Sequence, residues 1–216
     1  MDIHHKHGPI GNWSEFLKEY GIVVLGVLTA LGGEQAVEAI HHRSEVRETR
    51  QALNEELGRD LASLADTTSR SDCISARLGE LERWQRSLEG GRPLKLVHRI
   101  VVPGSVSLRS SVWRVSAGDA VSRMPLRQRV TYSMVYDGVD LSDKQRETMF
   151  NSWLDLSAYQ NARHLSEAQQ IDFTRDLRAI RELNDVMGSN YERMRAEARK
   201  VGAVPLDDSI FAATRV

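Results

Sequence analysis

Seven histidines, one cysteine and scattered carboxylates are the residues of this chain able to do chemistry, and none falls into a recognised catalytic pattern. His4, His5 and His7 cluster and could bind a transition metal through imidazole nitrogen. They sit beside Gly8 and Pro9, in a terminus that reads as a disordered tail. His41 and His42 are neighbours that point to different faces of a predicted helix, where they could respond to pH at a membrane edge. A nucleophile needs Ser or Cys held beside a histidine with an orienting acid. His98 and His164 are available for that role, and neither lies in a recognisable motif. The chain has no Gly-rich phosphate loop, no HExxH and no GxSxG. A lone Cys73 excludes an intramolecular disulfide and a Cys-based zinc site. The expectation is a noncatalytic protein with no metal and no cofactor.

Trp113, Arg114 and Asp119 are the most suggestive side chains of the middle region, because an aromatic ring and an ion pair could line a pocket between helices. A core tryptophan with surface charges is the commoner outcome of such a pattern.

The elements that position these residues begin with an apolar stretch. Tyr20 to Gly33 holds 14 uncharged residues, YGIVVLGVLTALGG. That is short of the roughly 20 needed to cross a hydrocarbon core, and Phe16, Leu17, Ala36, Val37, Ala39 and Ile40 extend it to 25 residues, Phe16 to Ile40. Lys18 can reach the headgroups along its stem, and Trp13 and Tyr20 suit an interfacial belt. A single membrane span is the expected reading. A cleaved signal peptide would carry Glu15 and Glu19 in its leader, a buried core helix is the second rival, and an interfacial helix would need a polar face that Ile22 to Leu31 lacks beyond Thr29. Gly26, Ala30 and Gly33 recur at i, i+4 and i+7, a small-residue face of the kind that lets a second helix approach. Glu34 falls at the membrane boundary, and an acid inside hydrocarbon would want a partner or a neutral state. Orientation is barely decided by charge: Lys6 and Lys18 precede the span and Arg43, Arg47 and Arg50 follow it.

From His41 onward the pattern is helical. Val46, Leu53, Leu57, Leu61 and Leu64 mark an apolar stripe, and Ile74, Leu78, Leu81, Trp84 and Leu88 mark a second helix that Gly90 and Gly91 end. Leu94 to Val102 reads as an extended connector, since one short strand cannot form a sheet. Ser111 to Val121 predicts a short helix, Pro125 starts another that Gly138 ends, and Ser142 with Gln145 and Ser166 with Gln169 match the capping box of two further helix starts. Phe173, Leu177, Ile180, Asn184, Met187, Tyr191, Met194 and Ala198 form a heptad seam facing either the chain's own core or a second copy. Gly202 and Pro205 end that helix.

Composition bounds the rest. Hydrophobic content of 41% and charged content of 27% exclude a disordered chain and a polytopic membrane protein. A net charge of −1 gives no reason to expect nucleic acid. The 24 Arg against 5 Lys reads first as genome composition and only second as guanidinium sites.

Trp13, Glu15, Phe16, Leu17, Lys18, Glu19 and Tyr20 leading into GIVVLGVLTAL and then Glu34-Gln35 resemble a group of uncharacterised bacterial single-span inner-membrane proteins with an all-helical soluble domain. The likeness covers residues 12 to 43 and, more weakly, Trp113 to Pro125. It implies a bacterial inner-membrane location with the bulk of the chain periplasmic, and carries over no activity. The organisation expected is all-α: a flexible tail over 1–12, a membrane anchor helix over 13–40 continuing into a bundle of about five helices over 41–202, and a C-terminal tail over 203–216. The function expected is a membrane-anchored accessory or scaffold subunit, in contact with membrane lipid, that self-associates or joins a membrane complex. The alternative is a membrane-anchored helical sensor of a small ligand.

Overall fold

A computed structural model describes residues 13–91, 94–104, 107–116 and 118–206, and among them the chain is helical without a strand. Six helices follow one another: α1 Trp13–Ser69, α2 Ser71–Glu89, α3 Ser111–Ser116, α4 Asp119–Ser122, α5 Leu126–Ser157 and α6 Glu167–Arg199. Internal contacts divide the chain into two compact units, Met1–Arg47 and Glu48–Val216, and α1 supplies residues to both. In the first unit the described residues are all part of α1, and between Ile22 and Leu31 its side chains are apolar or glycine on every side but for Thr29.

The second unit has a core built from stripes. Leu53, Leu57, Leu61 and Leu64 of α1 are at most 1% exposed, and each such side chain removed from water contributes roughly 1.5 to 3 kcal/mol. The heptad seam of α6 is buried along its length, from Phe173 to Ala198, against the chain's own helices. Its one amide is satisfied there: Asn184 Nδ2 donates to Ser71 Oγ at 2.9 Å and to Ser75 Oγ at 3.2 Å on α2. A second bond between the same helices runs from Gln85 Nε2 to Thr174 Oγ1 at 2.9 Å. Trp84 of α2 packs on Phe173 of α6, with ring centroids 5.7 Å apart.

The Ser166 start is capped as its sequence predicts, with both bonds of the capping box made: Gln169 N donates to Ser166 Oγ, and Ser166 N donates to Gln169 Oε1. The other expected start is overturned. α5 runs unbroken through Gly138 and Ser142, so Gly138 is not a stop and Ser142 is not a cap. The physical reason is helix approach: a Cβ placed at Gly138 would lie 2.7 Å from Met194 Sδ, so the missing side chain admits α6. Ser142 is buried facing the same methionine. The single helix expected over Ser111 to Val121 is also two short ones, α3 and α4. Leu94 to Val102 is irregular, with a bend at Val97 and His98, and pairs with no strand among the described residues. Residues 203–206 return across α1 at Gly58, where Leu206 N donates to Gly58 O at 3.0 Å. A Cβ at Gly58 would stand 2.8 Å from Val204 O, so this crossing also depends on glycine.

Candidate functional site

Two regions depart from ordinary globular packing, one in each unit. In the first, Trp13, Phe16, Leu17, Tyr20, Ile22, Val23, Leu25, Val27, Leu28, Leu31, Val37 and Ile40 are all between 50% and 79% exposed. This part of α1 contains an 18-residue window of mean hydropathy 1.4, none of it buried within the chain, which is long and apolar enough to cross a membrane. The core-helix alternative requires a burial that these side chains lack. Gly26, Ala30 and Gly33 lie exposed on the helix, and a Cβ at Gly26 or Gly33 would meet nothing within 4 Å. Glu34 is exposed too and makes no ion pair or hydrogen bond among the described residues. Along the helix Trp13 meets Phe16 edge-on and Phe16 stacks on Tyr20, each ring pair with centroids 6.1 Å apart. The only polar side chain of the central run, Thr29, turns its hydroxyl inward to donate to Leu25 O at 2.8 Å. His41 pairs with Glu45 at 3.2 Å and His42 with Glu38 at 3.6 Å, each one turn apart on the surface.

The second region is a set of carboxylates in the Glu48–Val216 unit. Glu56 and Asp60 are one turn apart on α1, 2% and 4% exposed, within the leucine stripe. Glu56 accepts from Ser111 Oγ at 2.7 Å, from Val112 N at 3.0 Å and from Tyr136 Oη at 3.0 Å. Asp60 Oδ1 accepts from Arg109 N at 3.0 Å. From α5, Asp143 accepts from Leu108 N at 3.1 Å and Asp140 from Ser110 Oγ at 2.9 Å. Four acids on two helices therefore hold the segment 108–112, which runs into the first turn of α3, where backbone N–H groups have no intrahelical acceptor. Buried backbone donors need partners, and side-chain carboxylates supply them.

The electrostatics follow from burial. Asp60 Oδ2 has no hydrogen-bond partner among the described residues. The Asp60 carboxyl is pushed up to about 7, chiefly by desolvation, with the nearby Glu56 and Asp143 adding to the rise against the lowering effect of the Arg109 N–H and of Arg59. Burial, then Glu56, pushes the Tyr136 phenol far above its ordinary value, so it stays a donor. Burial lowers the Arg146 guanidinium, which donates to Ser63 Oγ at 3.2 Å. These groups fix chain positions; each acid faces donors of the protein itself.

Trp113 follows within α3, whose first two residues end this segment. It is half-buried and stacks on Tyr136 with centroids 5.2 Å apart and planes 9° apart. Arg114 is exposed beside it, and Asp119 opens α4 with its side chain outside the described residues. His98 and His164 are both exposed, with Arg77 Nη2 bonding the His98 carbonyl at 2.8 Å. His4, His5 and His7 lie outside the described residues, and among those described no group of three or more His, Cys, Asp or Glu is placed to hold a metal.

A separate small cavity of about 130 Å³ lies between α1, α2 and α5, lined by Thr67, Cys73, Ile74, Arg146, Met149 and Trp153. Sequence reasoning missed both it and the acid cluster. The available signal for the acids was Glu56 and Asp60 interrupting the leucine stripe at helical spacing. Comparison with protein-family models, with curated proteins and with solved structures finds no match to this chain.

Proposed function

We propose that the chain is a noncatalytic accessory or scaffold subunit, held in a bacterial inner membrane by one N-terminal span and presenting a helical bundle that assembles with itself or with a membrane complex. One observation carries this reading: twelve large apolar side chains between Trp13 and Ile40 are at least half exposed on one helix. Contiguous exposed apolar surface of that extent marks a membrane or protein interaction site. Apolar residues on every side, without a polar face, fit a span better than an interfacial helix. The exposed Gly26, Ala30 and Gly33 face is available for helix association in the bilayer, and Glu34 would sit at its edge.

The test is fractionation of the full chain after expression in bacteria. It is expected in the membrane pellet through an alkaline wash, and a variant lacking residues 13–40 is expected in the supernatant. A full chain that washes off would refute the span. Labelling of the exposed Cys73 from either side of the membrane then assigns the orientation.

The cavity beside Cys73 favours a second reading, a sensor of a small apolar ligand. A cavity near this size binds benzene-sized molecules when apolar. Thermal stabilisation of the protein by such a molecule, lost in Ile74→Trp, would favour it over a scaffold.

A further inference from the structure

The cavity between α1, α2 and α5 has a donor on its wall with nothing to donate to. Trp153 is 2% exposed and lines this cavity, and its indole Nε1–H has no acceptor among the described residues. An indole nitrogen is a donor only, and a buried donor left unbonded is costly enough that native structures rarely keep one. Arg146 lies two turns earlier on the same face of α5 and is 5% exposed. It spends one guanidinium nitrogen on Ser63 Oγ at 3.2 Å, and makes no other hydrogen bond and no ion pair among the described residues. The other charged and hydroxyl groups of the lining are already engaged: Thr67 donates to Ser63 O at 2.9 Å, and Arg70 pairs with Asp66. Ile74 and Met149, both buried, complete the floor with hydrocarbon and thioether, and the exposed Cys73, Gly104 and Phe150 mark the mouth.

We propose that this cavity binds a compact neutral molecule with an apolar body and one acceptor oxygen, such as a small cyclic ketone, whose oxygen takes the Trp153 Nε1–H bond. The inference rests on the ligand-sensing reading above and adds to it the polar end of the ligand. Three features select that chemistry. A volume of about 130 Å³ has room for one six-membered ring, near the size at which an engineered apolar cavity takes up benzene. The side chains of the floor offer donors and no oxygen acceptor, so a water there would leave its own hydrogens unbonded, whereas a carbonyl has none to place. A carboxylate would enter close to Asp66 and Asp143, which lie within electrostatic reach of Arg146, and would lose its own water without gaining net pairing.

Cyclohexanone and methylenecyclohexane, two molecules of one shape that differ in the oxygen, test it on the full chain at a fixed detergent concentration. Trp153→Phe keeps an aromatic ring and removes the N–H. Cyclohexanone is expected to bind wild type about fivefold more tightly than this variant, the worth of one hydrogen bond, while methylenecyclohexane binds the two alike. In proton–nitrogen spectra of wild type, one indole N–H resonance is expected to move downfield with the ketone and to stay in place with the hydrocarbon. That readout stands by itself should Trp153→Phe fail a check of folding by circular dichroism. A ketone that binds wild type and a folded variant alike, or that moves no indole resonance, would overturn the inference while leaving an apolar ligand cavity in place. Failure of both molecules to bind would remove the ligand-sensing reading together with it. Cyclohexanecarboxylate binding more tightly than cyclohexanone would reassign the site to an anion held by Arg146, and would equally overturn the proposal of a neutral ligand.

Discussion

Two stretches of the same helix treat leucine in opposite ways. Between Ile22 and Leu31 of α1 the apolar side chains occupy every direction and remain exposed; between Leu53 and Leu64 they keep to one stripe and vanish into the core. The difference lies in what accompanies them. Glu55, Arg59 and their neighbours supply the second stretch with a polar side that water can solvate, whereas the first has only Thr29, whose hydroxyl is already bonded to its own backbone. A helix whose leucines form a stripe is specifying a partner within the chain. A helix whose leucines go all round is specifying a surrounding medium or another molecule.

The comparison is broken most severely at the core. Leu61→Ala is expected to lower the unfolding free energy of the Glu48–Val216 unit by about 3 kcal/mol, through lost burial and the cavity left behind. Urea denaturation followed by circular dichroism in detergent measures it. Asp60→Asn sharpens the view of the polar residues inside the stripe. Because the folded carboxyl titrates near 7 and the unfolded one near 3.8, the native state holds a proton that the unfolded state gives up between those values. The contribution of Asp60 to stability is thus expected to be greatest below about pH 4, to fall as pH rises to 7 and to level off above it. Asn keeps the bond from Arg109 N and carries no charge, so the variant should be more stable than wild type at pH 8 by about 1 to 2 kcal/mol. It should also have a flatter profile between pH 4 and 7. A variant less stable than wild type at pH 8 would contradict the assignment of Asp60 as a buried, costly anion.

A smaller effect is expected at Gly58→Ala. The new methyl would push Val204 O aside and loosen 203–206, while alanine repays part of that through its helix propensity. A net loss of about 1 kcal/mol is expected, measured in the same denaturation experiment. The smallest effect belongs to the exposed stretch: Leu25→Ala should change the stability of the Glu48–Val216 unit by less than about 0.5 kcal/mol. A larger loss would mean that the two stretches are not as different as their exposure says.

Periodicity made much of this legible. The stripes of α1, α2 and α6, the Ser166 cap and the apolar run from Phe16 to Ile40 could all be read from residue spacing, because each is decided within a few turns of chain. Gly138 could not. Glycine both ends helices and lets them touch, and only Met194, 56 residues later, decides between the two. Ser142 with Gln145 matches a cap by letter, yet the helix around it is already formed. A pattern of apolar positions along α1 shows Glu56 and Asp60 only as gaps. Their donors at Arg109 and Val112 stand about 50 residues away. The Trp113, Arg114 and Asp119 group was chosen by residue type, and the fold uses the tryptophan ring to cover Tyr136.

The segment 108–112 has a kinetic consequence. Its anchoring oxygens come from α1 and from α5, helices whose facing residues Glu56 and Tyr136 are 80 positions apart in the chain. Neither helix alone offers the full set, so the segment has nowhere to dock until that distant pair has come together. Contacts of such sequence separation close late. The amides of Leu108, Arg109 and Val112 should therefore gain protection from exchange after those of α6 during refolding, and in the native protein they should report the opening of α1 from α5.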